Sequence, residues 1–291
     1  MPRLAILLTT LIWGATFPAT KAALEQVPPL TFLFLRFLIG AALVFAVLWL
    51  SGRSVPRDRF IIRISVIATV WLFLGYVLQT VGLRFTTASN SAFITVLYVV
   101  FVPLFLRRWR PQVWLAAVLA MVGLWLLVKP AGQGNIGDVL SLGCAAAFAA
   151  HIACLERFTR VADPVAVLAW QFAFVTPAMF GMMLWESPSS SSFAFSSVLI
   201  VGLGVTGVFA TGAFAVQIWV QRVLPAQQVA LLFSLEPACA AWLAWYFLGE
   251  TMDVQGWLGS MLILAGVLAG SLREEPAGET ESMEIKSVSV E

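Results

Sequence analysis

The chain reads as an all-α integral membrane protein: ten transmembrane helices in two inverted-topology five-helix repeats around a central cavity. Three observations carry that expectation. Sixty per cent of the 291 residues are hydrophobic and only 11% are charged, with a mean hydropathy of +0.93. A polytopic helical membrane protein has that balance, and a soluble globular core does not need it. Ten apolar stretches approach the length of a bilayer crossing. The second half of the chain also echoes the first at a nearly constant displacement.

The apolar stretches run over residues 4–22, 30–50, 61–82, 89–106, 112–128, 137–155, 165–185, 194–217, 227–248 and 255–272. The first resembles a secretory leader in having Arg3 ahead of an apolar run. Trp13, Pro18 and Lys21 interrupt that run, and no small-x-small cleavage pattern follows, so the segment is expected to be retained. The twelve tryptophans suit interfacial belts. With the N-terminus inside, thirteen Lys and Arg residues fall on the inner side, with Arg53, Arg57, Arg59 and Arg63 clustered after the second stretch. The outer side holds Lys21, Arg84 and Lys129. This bias is expected to put both termini of the multi-pass protein in the cytoplasm. The polar, acidic segment 273–291 reads as a disordered cytoplasmic tail.

Trp13, Pro29 and Arg36 recur as Phe148, Pro164 and Gln171, displaced by 135 residues. Gln79, Ala88 and Ala92 recur as Gln217, Ala226 and Ala230, displaced by 138, and Gly123 as Gly266, displaced by 143. Five crossings is an odd number, so the second copy enters the membrane from the opposite side. The expected units are residues 4–130 and 136–272, with a site near the midplane between them.

Within the ninth stretch stands a single carboxylate, Glu236, followed by Pro237. A charge at such depth costs about 2.5–3.5 kcal/mol on insertion scales and usually faces a cavity or a partner. On a continuous helix Pro237 would strip a carbonyl one turn earlier of its donor. Gln228, Leu232, Glu236, Cys239 and Ala240 would then share one face. Glu236 is either a transport-site group or a pin between two helices.

Polar residues at helical spacing mark further faces. The first stretch has Thr9, Trp13, Thr16 and Thr20, the third Tyr76, Gln79 and Thr80, and the fourth Ser91, Thr95 and Tyr98. The sixth groups Cys144, Phe148 and His151, and the eighth Phe214, Gln217 and Gln221. Helix packing explains any one stripe; six stripes matched across the halves point to a shared cavity. The fifth and tenth stretches have almost no polar residue at mid-depth, and Gly266 with Gly270 reads as a small-xxx-small contact. Arg36, two turns into the second stretch, either snorkels to water, pairs structurally or binds a substrate carboxylate. His151 either binds substrate, relays protons or packs. Pro18 is a kink or a gating hinge.

Several chemistries are excluded. One histidine and three cysteines (Cys144, Cys154 and Cys239) inside apolar runs form no metal-ligand pattern, and no disulfide is expected. There is no Ser/His/Asp set, HExxH or paired intramembrane carboxylate for catalysis, and no Walker motif for direct ATP use. No cofactor is implied, and the basic residues sit in short loops rather than in a nucleic-acid patch.

The tract SLEPACAAWLAWYFLGE, the tract WGATFPATK and the Pro29-to-Arg36 spacing resemble the EamA-type members of the drug/metabolite transporter superfamily, over Leu4 to Gly270. The resemblance implies ten helices in two inverted EamA repeats and a cavity formed by helices 1, 3, 4, 6, 8 and 9. The first half departs from the family pattern, ending its fourth stretch in Leu106-Arg107 where members often have Gly-Glu. Among members the chain looks most like bacterial exporters of amino acids, the aromatic ones included.

The residues themselves narrow the solute. A phosphorylated solute would call for several buried cations, and only Arg36 lies within the membrane. A zwitterion needs polar contacts at two ends. The candidate substrate-binding residues are Trp13, Thr16, Tyr76, Gln79, Tyr98, His151, Gln217, Ser234 and Glu236, with Arg36, Pro18 and Pro237 as gate or charge partner. The expected protein is a secondary exporter of amino acids or similar small zwitterions, working by alternating access as a monomer or weak homodimer. The alternative is efflux of drugs or lipophilic cations, for which aromatics and one carboxylate suffice.

Overall fold

The computed structural model describes residues 2–107, 111–128, 135–159, 161–186, 196–224, 226–233 and 235–271. The expected tail 273–291 lies outside them, as do Ser234 and the side chain of Gln228. All described regular structure is helical. The first half comprises α1 (Pro2–Ala23), α2 (Pro29–Leu50), α3 (Arg59–Gly82), α4 (Ala88–Thr95), α5 (Tyr98–Phe105) and α6 (Pro111–Val128). The second comprises α7 (Ile136–Phe158), α8 (Pro164–Glu186), α9 (Ser197–Leu203), a π-helical turn (Gly204–Phe209), α10 (Ala210–Val220), α11 (Ala226–Phe233), α12 (Glu236–Leu248) and α13 (Val254–Ser271). Among the described residues, seven segments are long and apolar enough to cross a membrane. The α11–α12 pair and the apolar parts of α6 (Val118–Leu127) and α13 (Val254–Gly266) complete ten crossings.

Local chemistry sets the helix starts. Asp58 accepts from the amides of Phe60 (2.7 Å) and Ile61 (3.3 Å) at the head of α3. Thr87 caps α4 through Asn90 N, Asn135 caps α7 through Gly137 N, and Ser196 caps α9 through Leu199 N. Each satisfies an amide that has no partner within its own helix.

Two expected continuous helices are broken. The fourth crossing interrupts at Val96–Leu97 and the ninth between Phe233 and Glu236. Pro237 therefore does not sit in the middle of a continuous helix. It occupies the first turn of α12, where no donor is needed. Helix α1, by contrast, runs unbroken through Pro18.

The packing has the symmetry of an inverted repeat. Helices α2 and α8 pair, as do α6 and α13; α3 packs on α7 as α1 packs on α9 and α10; α4 and α5 pack on α7 as α12 packs on α1. The α6–α13 crossing is reciprocal. A methyl group on Gly123 would come within 2.5 Å of Gly259 O and 2.7 Å of Ile263 N. One on Gly259 would come within 2.6 Å of Gly123 O and 2.7 Å of Leu127 N. These pairs, Gly123 with Gly259 and Leu127 with Ile263, are displaced by 136 residues. The counterpart of Gly123 is accordingly Gly259 and not Gly266, in register with the rest of the repeat. Backbone atoms cannot yield, so Gly123→Val is expected to destabilise by roughly 1–3 kcal/mol. Thermal unfolding in detergent checks this against Gly181→Ala, whose added methyl meets nothing within 4 Å. Equal midpoints would mean that the crossing is slack.

The exposed surface is apolar, with Trp49 81% and Trp185 79% exposed at the ends of α2 and α8. Surface of that kind has lipid as its solvent, and the two tryptophans, each at the C-terminal end of its helix, lie at opposite faces of the bundle, as in interfacial belts. The end of the bundle carrying Lys21 is tied by polar contacts. Lys21 Nζ donates to Leu83 O (2.6 Å) and Thr86 O (2.7 Å). Thr86 Oγ1 donates to Asp138 Oδ1 (2.5 Å), and Asn135 Nδ2 to Phe85 O (2.5 Å). Two carboxylates from distant parts of the chain, at the end of α8 and just after α12, cap helix starts here in nearly the same way. Glu186 accepts from Leu30 N, Thr31 N and Thr31 Oγ1, and Glu250 from Ala88 N, Ser89 N and Ser89 Oγ.

Candidate functional site

Residues flanking the two helix breaks, Thr95 and Tyr98 at one and Glu236 at the other, line a common cavity. Its walls are Trp13 and Thr16 of α1, Leu72, Tyr76 and Gln79 of α3, and Thr95 and Tyr98 of the fourth crossing. Phe148, His151 and Ile152 of α7, Phe214 and Gln217 of α10, and Glu236 of α12 complete it. The cavity is small, about 30 Å³.

Eight of the nine sequence-expected contact residues line this cavity, and the ninth, Ser234, lies outside the described residues. All six helices that the stripes singled out contribute. Pro18 and Pro237 are not in the wall, and neither is Arg36. Sequence reading missed Leu72 and Ile152. They sit one helical turn from Tyr76 and Phe148, a spacing that only a known cavity face makes informative.

The repeat builds the cavity from matched positions. Trp13 and Phe148, Thr16 and His151, Tyr76 and Phe214, Gln79 and Gln217, and Tyr98 and Glu236 are five pairs displaced by 135 or 138 residues, and all ten residues line the wall. The last pair meets across the pseudo-twofold relation, with Tyr98 OH donating to Glu236 Oε2 at 3.2 Å. Tyr98 opens α5 and Glu236 opens α12, so each begins the second half of a broken crossing. Glu236, 6% exposed, lies in the first turn of α12, where the helix dipole favours a negative group. The break thus supplies what a continuous helix would not.

Aromatic rings floor the space. Trp13 stacks on Phe233 with ring centroids 4.9 Å apart, Tyr76 meets Phe148 edge-on at 5.2 Å, and His151 stacks on Phe214 at 5.6 Å. His151 is held as well as exposed to the cavity, because its Nε2 lies 2.9 Å from Gln171 Oε1. Toward the Arg53 end, Gln217 Nε2 donates to Gln221 Oε1, whose own amide reaches Ile152 O. Among the described residues, two polar groups in the wall have no hydrogen-bond partner: the indole N–H of Trp13 and the amide oxygen of Gln217. A buried donor and acceptor left unpaired are costly unless water or a ligand satisfies them.

Arg36 does not snorkel. It is 5% exposed, with its guanidinium 4.3 Å above the Tyr76 ring and 5.4 Å from Phe37. Its side chain turns inward because Tyr76 and Phe37 offer a cation–π seat that lipid cannot.

Two helical halves enclosing a polar cavity at mid-depth, with broken helices at its centre, form the architecture of a membrane transporter. The chain belongs to the EamA-like transporter family, whose sequence profile matches residues 2–129 and again 135–271. A protein of Archaeoglobus fulgidus described as an uncharacterized transporter is 36% identical over 278 residues, 93% of this chain and 85% of its own. The uncharacterized transporter YwfM of Bacillus subtilis is 26% identical over 298 residues, 96% and 97% of the two chains. The threonine/homoserine exporter RhtA of Salmonella typhimurium is 30% identical over 188 residues, 60% of each chain. A crystal structure aligns over 92% of this chain and 95% of its own with a TM-score of 0.66 at 19% identity, which marks a shared fold.

Proposed function

We propose that this transporter exports amino acids or similar small zwitterions across the bacterial cytoplasmic membrane by alternating access. Residues 4–130 and 136–272 act as the two halves, and the Lys21 end faces outward. The observation that carries the reading is the pairing of a buried carboxylate, Glu236, with an unpaired donor and an unpaired acceptor around one aromatic-walled cavity. Glu236 and Gln217 Oε1 receive the ammonium group, the Trp13 N–H takes an acceptor, and the rings accommodate a variable side chain. The similarity to a threonine/homoserine exporter supports an amino-acid solute, and the Lys and Arg bias supports the orientation. The narrowness of the cavity fits a protein that must widen on one side to load and on the other to release.

Expression in cells lacking their own exporters is expected to raise resistance to toxic amino-acid analogues, with faster loss of preloaded labelled amino acid. Unchanged sensitivity to every analogue, together with lower accumulation of cationic dyes, would replace this reading with drug efflux.

A further inference from the structure

A second cavity adjoins the first and shares Leu72, Tyr76 and Phe214 with it. Arg36 stands at its head, with Phe172, Thr206 and Thr211 among the other walls. Among the described residues no carboxylate pairs with this guanidinium; its neighbours are the rings of Phe37 and Tyr76 and the Tyr76 hydroxyl. The guanidinium shares a hydrogen bond with that hydroxyl, but with no carboxylate opposite it the buried charge stays incompletely compensated. The Thr206 and Thr211 hydroxyls donate to Gly202 O (2.7 Å) and Gly207 O (2.6 Å), so their hydrogens are engaged. One wall of the pocket is formed partly by the π-helical turn Gly204–Phe209, which contains Thr206. A methyl group on Gly207 would lie 3.3 Å from Arg36 O and 3.0 Å from Ile39 Cγ2, so this turn is pressed against the segment that carries Arg36. Irregular turns of this type cluster at functional sites.

We infer that Arg36 is a carboxylate subsite, which binds the acid group of the transported solute while Glu236 holds its ammonium. This rests on the reading of the main cavity as the site for zwitterions. The two charges lie in adjoining cavities with Tyr76 in the wall of both. A solute spanning them meets a guanidinium at one end, a carboxylate at the other and an aromatic ring between. Guanidinium presents paired N–H groups that match a carboxylate in a planar fork. The subsite makes recognition depend on both ends of the solute, so an amine without an acid group is a poor substrate.

The test compares L-threonine and L-phenylalanine with their neutral amides in proteoliposomes containing wild-type protein, Arg36→Gln or Arg36→Lys. Wild type is expected to move at least one acid over its amide by roughly tenfold or more, the factor one charge-assisted contact confers. In Arg36→Gln the acid-to-amide ratio should collapse to about one, chiefly through lost acid transport, and Arg36→Lys should recover part of it. Thermal stabilisation of detergent-purified wild type by the acid, but not by the amide, gives a second readout that needs no variant to fold. Equal movement of acid and amide by wild type, or an unchanged ratio in Arg36→Gln, overturns the subsite while leaving amino-acid transport standing. Failure of wild type to move either acid overturns both.

Discussion

Replacing Glu236 with Gln is expected to leave a folded, membrane-inserted protein whose transport falls by roughly two orders of magnitude, the scale set by losing a charge-assisted contact to a cation. Gln preserves the volume and can still accept from Tyr98 OH, which lies 3.2 Å from Glu236 Oε2 in the native chain. It removes the negative charge in the first turn of α12 and the only titratable carboxyl among the cavity's wall residues. Any pH dependence that originates at this group should vanish with it. Tyr98→Phe removes the donor while keeping the ring and should produce a smaller loss, roughly tenfold. Uptake into proteoliposomes across a range of pH, normalised to inserted protein, checks both. Wild-type rate and wild-type pH profile in Glu236→Gln would reduce the carboxylate to a pin between the two broken crossings.

Glu250→Ala is expected to release the Lys21 end of the bundle. This carboxylate accepts from Ala88 N (2.8 Å), Ser89 N (3.1 Å) and Ser89 Oγ (2.9 Å), and so ties the loop after α12 to the start of α4. Hydrogen bonds to a charged acceptor contribute about 1.5–3 kcal/mol, and the Ala88 and Ser89 amides at the start of α4 would lose their acceptor even with Thr87 still in place. A cysteine placed at Gln79, in the cavity wall, should then react severalfold faster with an impermeant maleimide added outside the cell. Transport should fall at least tenfold, because a face that no longer closes cannot alternate. Labelling that rises only from the cytoplasmic side would reverse the assigned orientation. Unchanged labelling would make Glu250 a passive cap.

Much of this arrangement was legible in the sequence, for identifiable reasons. Long apolar runs fix crossings whatever their partners, since a lipid-exposed backbone must satisfy its own hydrogen bonds. Polar residues at helical spacing found the six cavity-lining segments because Thr, Tyr, Gln and His stand out against Leu and Val. What was not legible depends on contacts between distant parts. Val96–Leu97 contains no helix breaker, and the interruption there arises where the two halves meet. Pro237 announced a disturbance in the ninth crossing but not its place; it starts a helix instead of kinking one. Arg36 reads locally as a snorkelling cation, and only the packing of α2 against α3 and the π-helical turn gives it an interior seat. The Glu186 and Glu250 caps join residues more than 150 positions apart, a pairing no local pattern encodes.

Solute counterflow in proteoliposomes tests the central claim most directly. Vesicles loaded with unlabelled amino acid and diluted into a trace of the same labelled compound report exchange through one site without any imposed gradient. Transient accumulation of at least one neutral amino acid is expected, abolished in Glu236→Gln and competed by other amino acids that fit the cavity. No counterflow for any of the twenty amino acids, with robust counterflow of a lipophilic cation such as tetraphenylphosphonium, would contradict it.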